Sequence, residues 1–207
     1  LTIDDYILDH KTNDYETTRL MTTRLTTKVI SVFGSSAPVP GSEAYESARL
    51  VGRLLAEAGF AVATGGYSGT MTAVSQGAAE AGGHVIGVTS AQIEQFRPMA
   101  ANQWVVEEIK YESLRDRLMH LVLNNDGMIV LPGGIGTLSE MTLAWSFLQV
   151  GEVNPRPLAL IGDMWRDGIR GFYRQEYVPR VYLDLLYFAD SPETAVAHIM
   201  RHVKRKT

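Results

Sequence analysis

From Lys28 onward, short apolar runs alternate with longer stretches in which apolar residues recur at helical spacing. The runs cover residues 28–33, 60–64, 84–89, 104–109, 127–131, 157–161 and 184–188. They are brief and nearly continuous in apolar character, as expected of strands covered on both faces. Helices are predicted between them. One spans 42–58 and is closed by Gly59, and an alanine-rich one ends near Ala81. A third spans 113–124, with Leu114, Leu118, Leu121 and Val122 as its buried stripe, and Arg115 and Arg117 off that stripe. Residues 141–149 are helix-forming, and 164 to about 176 are amphipathic around Trp165 and Phe172. Ser191 as N-cap and Pro192 at the first helical position open the last helix. Residues 90–102 read as a loop with at most a helical turn.

Strands alternating with helices along most of the chain imply a parallel sheet with helices on both faces. The predicted fold is therefore α/β, a doubly wound Rossmann-like sheet, with ligands at the carboxyl ends of its strands. The 207 residues suffice for one domain with a full core. That domain is assigned to 28–207, behind a polar, threonine-rich extension at 1–27 in which Met21 is a natural place for the domain proper to begin. The basic tail Lys204, Arg205 and Lys206 reads as a solvated terminus.

Composition narrows the chemistry. Apolar residues at 45% fit a globular protein, and a formal net charge of −4 with no basic stripe argues against nucleic acid as a partner. With no cysteine, disulfides, thiolate metal sites and cysteine nucleophiles are excluded. No run of about 18 apolar residues occurs, so no membrane span is expected and the chain reads as cytoplasmic. His198 and His202 share the spacing of a metal pair, but the glutamate of a His-Glu-x-x-His site and a third ligand are missing, so no metal site is assigned. No lysine follows a glycine loop in Walker fashion, and no Gly-x-Ser-x-Gly elbow occurs.

Three strand-to-helix turns carry small residues. Gly34 and Ser35 follow the first strand, Gly65 to Thr70 the second, and Pro132 to Thr137 the run at 127–131. A helix start after a glycine turn offers unpaired backbone N–H groups and the positive end of the helix dipole, which together suit a phosphate. Gly133, Gly134, Gly136 and Thr137, with Gly34, Ser35, Gly66 and Gly69, are the candidate phosphate and nucleotide contacts. Glu140 lies one turn beyond the third turn. An acid there helps an anion little, but suits a cation or a developing positive charge. The same spacing is also a capping box, with Thr137 as N-cap and Glu140 at N3. Both readings stand at the level of spacing.

The segment Pro132 to Glu140, Pro-Gly-Gly-x-Gly-Thr-x-x-Glu, resembles the signature of the Lonely Guy family of nucleoside 5′-monophosphate phosphoribohydrolases. Arg117, fifteen positions before Pro132, matches that family's arginine, and the likeness runs from about Lys28 to about Val203. Tyr67 stands where the family commonly has a third glycine, and Leu118 where it often has a lysine. The resemblance implies hydrolysis of the N-glycosidic bond of AMP or an N6-substituted AMP, with Arg117 and Glu140 catalytic. It also implies a homodimer, and neither metal nor organic cofactor. A solvated surface arginine is the plain alternative for Arg117. A non-catalytic carrier of a nucleotide or of molybdenum cofactor is the alternative for the whole chain. The family's older label, lysine decarboxylase, is rejected, since no lysine lies in a glycine-loop context for pyridoxal phosphate.

Overall fold

The computed structural model describes residues 27–203. The proposed extension at 1–27, apart from Thr27, and the basic tail lie outside the described residues. Seven strands form one all-parallel sheet: β1 (Val29–Phe33), β2 (Ala61–Thr64), β3 (Val85–Ser90), β4 (Glu107–Tyr111), β5 (Gly127–Val130), β6 (Leu158–Ile161) and β7 (Leu186–Ala189). Their order is β4-β3-β2-β1-β5-β6-β7. The helices are α1 (Glu43–Glu57), α2 (Thr70–Glu80), α3 (Ala91–Phe96), α4 (Leu114–Leu123), α5 (Ile135–Val150), α6 (Asp163–Phe172), α7 (Arg180–Leu183) and α8 (Pro192–His202). The doubly wound, Rossmann-like fold read from the apolar pattern is the observed one.

Side-chain alternation along the central strands divides the core in two. Ile30, Val32, Val62 and Ile129 face α1, α2 and α8, and pack on Val51, Leu55, Val74 and Ile199. Phe33, Met128, Val130 and Leu160 face α4, α5 and α6, and pack on Leu121, Met141, Trp145 and Trp165. Burying both faces is why these strands carry continuous apolar runs. Helices α1 and α2 touch closely because Gly52 and Gly77 have no side chains; a Cβ on either would overlap backbone of the other helix.

Side-chain caps set the starts of three helices. Ser42 caps α1 by accepting from Tyr45 N at 3.3 Å, and Ser113 caps α4 by accepting from Asp116 N at 3.1 Å. Ser191 and Thr194 form a capping box on α8, with Pro192 at its start. Four expectations need correction. The fourth strand lies at Glu107–Tyr111, not 104–109, and Val106 is exposed. As an edge strand it buries little, so the apolar pair before it did not mark its position. Residues 91–96 form a helix, and the short α7 carried no periodic signal. Helix α5 begins at Ile135, six residues before the predicted segment, despite Gly136. In α4, Leu121 and Val122 are buried as predicted, but Leu114 is exposed and Arg117, placed off the stripe, is buried.

Candidate active site

Strand order reverses direction between β1 and β5, where connections leave to opposite sides of the sheet and open a crevice at the carboxyl ends. Two turns meet there. After β1 the chain runs straight through Gly34, where a Cβ would overlap the Thr70 hydroxyl. After β5, the Leu131 carbonyl accepts from the Trp165 indole at 3.0 Å, which fixes the strand end. Helix α5 then starts with Gly134 as N-cap and no side-chain cap. The first-turn N–H groups of Ile135, Gly136 and Thr137 have no intrahelical acceptor, and these residues line a cleft of about 330 Å³ together with Gly34 and Ser35.

This geometry removes the capping-box reading. The N-cap is Gly134, so Thr137 is the third helical residue and Glu140 the sixth, too deep to reach the cap. The Thr137 side chain lies over Gly133, where a Cβ would collide with it. Glu140 is only 7% exposed and faces Arg117, with Nη1 to Oε1 at 3.5 Å. Burial in low dielectric pushes the Glu140 carboxyl up to about 7, against the opposing pull of the Arg117 charge and hydrogen bonding.

Arg117 is not solvated; it is 6% exposed. Its Nε donates to the Val88 carbonyl of β3 at 2.8 Å. Its Cζ stands 5.8 Å from the centre of the Tyr67 ring. The far guanidinium nitrogen fills the space where a side chain at Gly65 would be. Burial of this arginine is thus built from four sources: a carbonyl, a carboxylate, an aromatic face and a missing Cβ.

The second glycine turn is differently used. Gly66 and Gly69 are not among the cleft-lining residues. Gly69 has φ of +69° and packs against Ser35 and Ser36, and Gly66 has φ of +77° and packs against Gly87 and Thr89. The N–H of Thr70, first in α2, is taken by the Ser35 carbonyl at 2.8 Å. Gly65 and Tyr67 do line the cleft. Tyr67 is buried; its hydroxyl accepts from Ser90 N at 2.8 Å and donates to Ser90 O at 3.2 Å. Burial pushes its phenol up. The opposite wall comes from α3 and the chain after it, through Ile93, Phe96, Arg97 and Met99. None of these four was singled out from sequence, because residues 90–102 lack periodicity and no motif marks them.

A model of the SLOG cluster4 family matches residues 27–150. The chain belongs to this family. Two curated proteins named cytokinin riboside 5′-monophosphate phosphoribohydrolase are similar to it over most of their length. The one from Mycobacterium marinum is 30% identical over 176 residues, 81% of this chain and 90% of its own. The one from Mycobacterium tuberculosis is 29% identical over 177 residues, with the same coverage, 81% and 90%. The Lonely Guy resemblance read from the signature is therefore upheld over nearly the whole domain. Among solved structures, the X-ray structure of TM1055 superposes with a TM-score of 0.68 at 29% identity, covering 84% of this chain and 99% of that one. The molybdenum cofactor binding protein from Rippkaea orientalis superposes at 0.64 with 27% identity, covering 83% and 94%.

No cluster of three or more histidine, aspartate or glutamate side chains able to hold a metal occurs among the described residues. His198 and His202 lie on one helix face with ring centres 4.1 Å apart, but His198 stacks on Tyr187 at 3.9 Å and His202 Nδ1 pairs with the His198 carbonyl. No described helix is long and apolar enough to cross a membrane.

Proposed function

We propose that the protein hydrolyses the N-glycosidic bond of a nucleoside 5′-monophosphate, AMP or an N6-substituted AMP, to free base and ribose 5-phosphate. The observation that carries this reading is the buried Arg117–Glu140 pair set beside an uncapped helix start in one cleft. Phosphate binds the N–H groups at Gly134 to Thr137 and is flanked by Gly34 and Ser35. The glycosidic bond then lies toward Glu140. As that bond breaks, its electron pair leaves with the base nitrogen and positive charge spreads over the ribose ring. The Glu140 carboxylate stabilises this charge and takes a proton from the attacking water, whose hydroxyl joins the ribose anomeric carbon. The base gains a proton as it leaves. A carboxyl pushed up to about 7 is well matched to exchanging a proton near neutrality. Arg117 holds Glu140 in place and keeps part of its population ionised.

Gly66 and Gly69, candidate phosphate contacts by sequence, act in this reading through the backbone packing that shapes the cleft. The homodimer implied by the resemblance would use the apolar groove of about 610 Å³ between α5 and α6, lined by Met141, Trp145, Met164, Ile169 and Phe172. The protein is proposed to act in the cytoplasm. A second reading, a carrier of molybdenum cofactor, is favoured by the likeness to the Rippkaea orientalis protein. Base release from AMP, followed by chromatography, separates the two. The hydrolase should release adenine from AMP much faster than from adenosine, because phosphate binding positions the ribose. Tight binding without release favours the carrier, and equal kcat/KM on AMP and adenosine would remove the phosphate from the account.

A further inference from the structure

Among the described residues, three charged side chains line the cleft: Arg97, Arg117 and Glu140. Arg117 is already committed. Its charge faces Glu140 at 3.5 Å, its Nε is bound to Val88 O at 2.8 Å, and Tyr67 and Gly65 close it in. Moving it to a phosphate would leave a buried carboxylate without its counter-charge, which is costly in low dielectric. The phosphate of a nucleoside monophosphate, however, carries about −1.5 to −2 charge at neutral pH. The α5 start offers only the partial charge of a helix dipole, about +0.5. The chain's formal net charge of −4 supplies no attracting field.

Arg97 is the cation left over. It lines the cleft from the end of α3, is exposed, and makes no side-chain hydrogen bond or ion pair among the described residues. Its backbone is tied down, with N donating to Ile93 O at 2.8 Å, so the side chain springs from a defined point. Several surface arginines, Arg49, Arg115, Arg166, Arg170 and Arg180, each face a carboxylate. Arg53 and Arg201 are unpaired like Arg97 among the described residues but do not line the cleft. A guanidinium at a cleft wall, with all its donors unspent, suits two parallel hydrogen bonds to phosphate oxygens.

We propose that Arg97 is the charged partner of the substrate's phosphate, reaching across the cleft from α3, and that it sets affinity for the anion rather than the rate of bond cleavage. The proposal rests on the nucleoside monophosphate reading of the same cleft. It divides the work by charge. Arg117 serves Glu140, and Arg97 serves the ligand.

The test uses the full chain with Arg97→Gln, Arg97→Lys and, as a control remote from the cleft wall, Arg115→Gln. Base release from AMP and calorimetric binding of AMP and adenosine are measured at about 50 and 500 mM salt, where screening differs several-fold in range. Arg97→Gln should raise KM for AMP by about ten- to a hundredfold, the scale of a charge-assisted contact, with kcat within about twofold. It should flatten the salt dependence of AMP binding and leave adenosine binding unchanged. Arg97→Lys should recover part of the loss, and Arg115→Gln should match the parent protein. An unchanged KM and Kd for AMP in Arg97→Gln would overturn the proposal, as would equal weakening of AMP and adenosine. If the parent protein releases no base, the hydrolase reading fails separately. The binding arm still decides Arg97, since selective loss of AMP over adenosine upholds its role and no loss refutes it.

Discussion

The two glycine-rich turns after β2 and β5 look alike in composition and do opposite work. In the β5–α5 turn, Gly134 and Gly136 have open space where a Cβ would go, and the helix start beyond them faces the cleft uncapped. In the β2–α2 turn, the glycines are packing devices. Gly66 and Gly69 have positive φ and press against neighbouring backbone, and the first N–H of α2 is consumed by Ser35. That turn holds the β1 loop in place and lets Arg117 pass at Gly65. A glycine run thus signals close approach of something to backbone. Whether that something is a ligand or the protein's own chain is decided by what stands opposite.

The sharpest break of this comparison is at the functional end of α5. Glu140→Gln keeps shape and has no cap to lose, but it leaves the buried Arg117 facing a neutral amide in place of its counter-charge. Base release from AMP should fall at least about a hundredfold, with AMP still bound. The parent's kcat/KM should rise as pH passes through about 7, where Glu140 ionises, and the variant's should not. Stability should respond in the opposite sense. A carboxyl raised from 4.5 to about 7 holds its proton in the folded state, so its stabilising effect is complete below 4.5 and is lost as pH rises through 7. Thermal melting of parent and variant should therefore shift in the variant's favour between pH 5 and pH 8. A variant with parental turnover would remove Glu140 from the mechanism.

Next in size is the pair Gly69→Ala and Gly136→Ala. At Gly69 a Cβ would collide with the Ser35 and Ser36 backbone at φ of +69°, so about 1–3 kcal/mol of stability should be lost. At Gly136 a Cβ meets open space within a helix, where alanine is favoured over glycine by about 1 kcal/mol. That variant should melt no lower than the parent yet bind AMP more weakly, because Gly136 lines the cleft at the proposed phosphate site. Equal melting for both, or unchanged AMP affinity in Gly136→Ala, would erase the distinction between the turns.

The smallest expected effect lies far from both turns and guards the pH experiment. Burial, followed by the charges of His202 and Arg201, pushes His198 down to about 4. The unfolded chain takes up this proton first, near 6.5, so stability should fall as pH drops from about 6.5 toward 4. His198→Phe keeps a ring on Tyr187 and should reduce that acid loss, as read by melting at pH 5. It should leave the rise of kcat/KM through neutrality untouched, separating Glu140 protonation from acid unfolding.

Most of the fold was legible because burial on both faces writes strands as apolar runs, and because Ser42, Ser113 and Ser191 mark helix starts by their own hydrogen bonds. Weakly buried elements were legible least: β4 at the sheet edge, α3 and α7 offer little apolar pattern to read. In the site, the signature spacing named Arg117 and Glu140 and the turn at Gly133 to Thr137. It could not tell a capping glutamate from a buried one, since that depends on where α5 begins. Nor could it show that Arg117 is buried against Val88, Tyr67 and Gly65, residues 29, 50 and 52 positions away by sequence number. The apolar period, the caps and the motif are properties of neighbours along the chain, so sequence alone determined them. The raised carboxyl of Glu140, the unspent charge of Arg97 and the division of labour between the glycine turns come from dielectric, packing and charge contributed by distant segments. Only the tertiary structure, by bringing those segments together at one sheet edge, decided them.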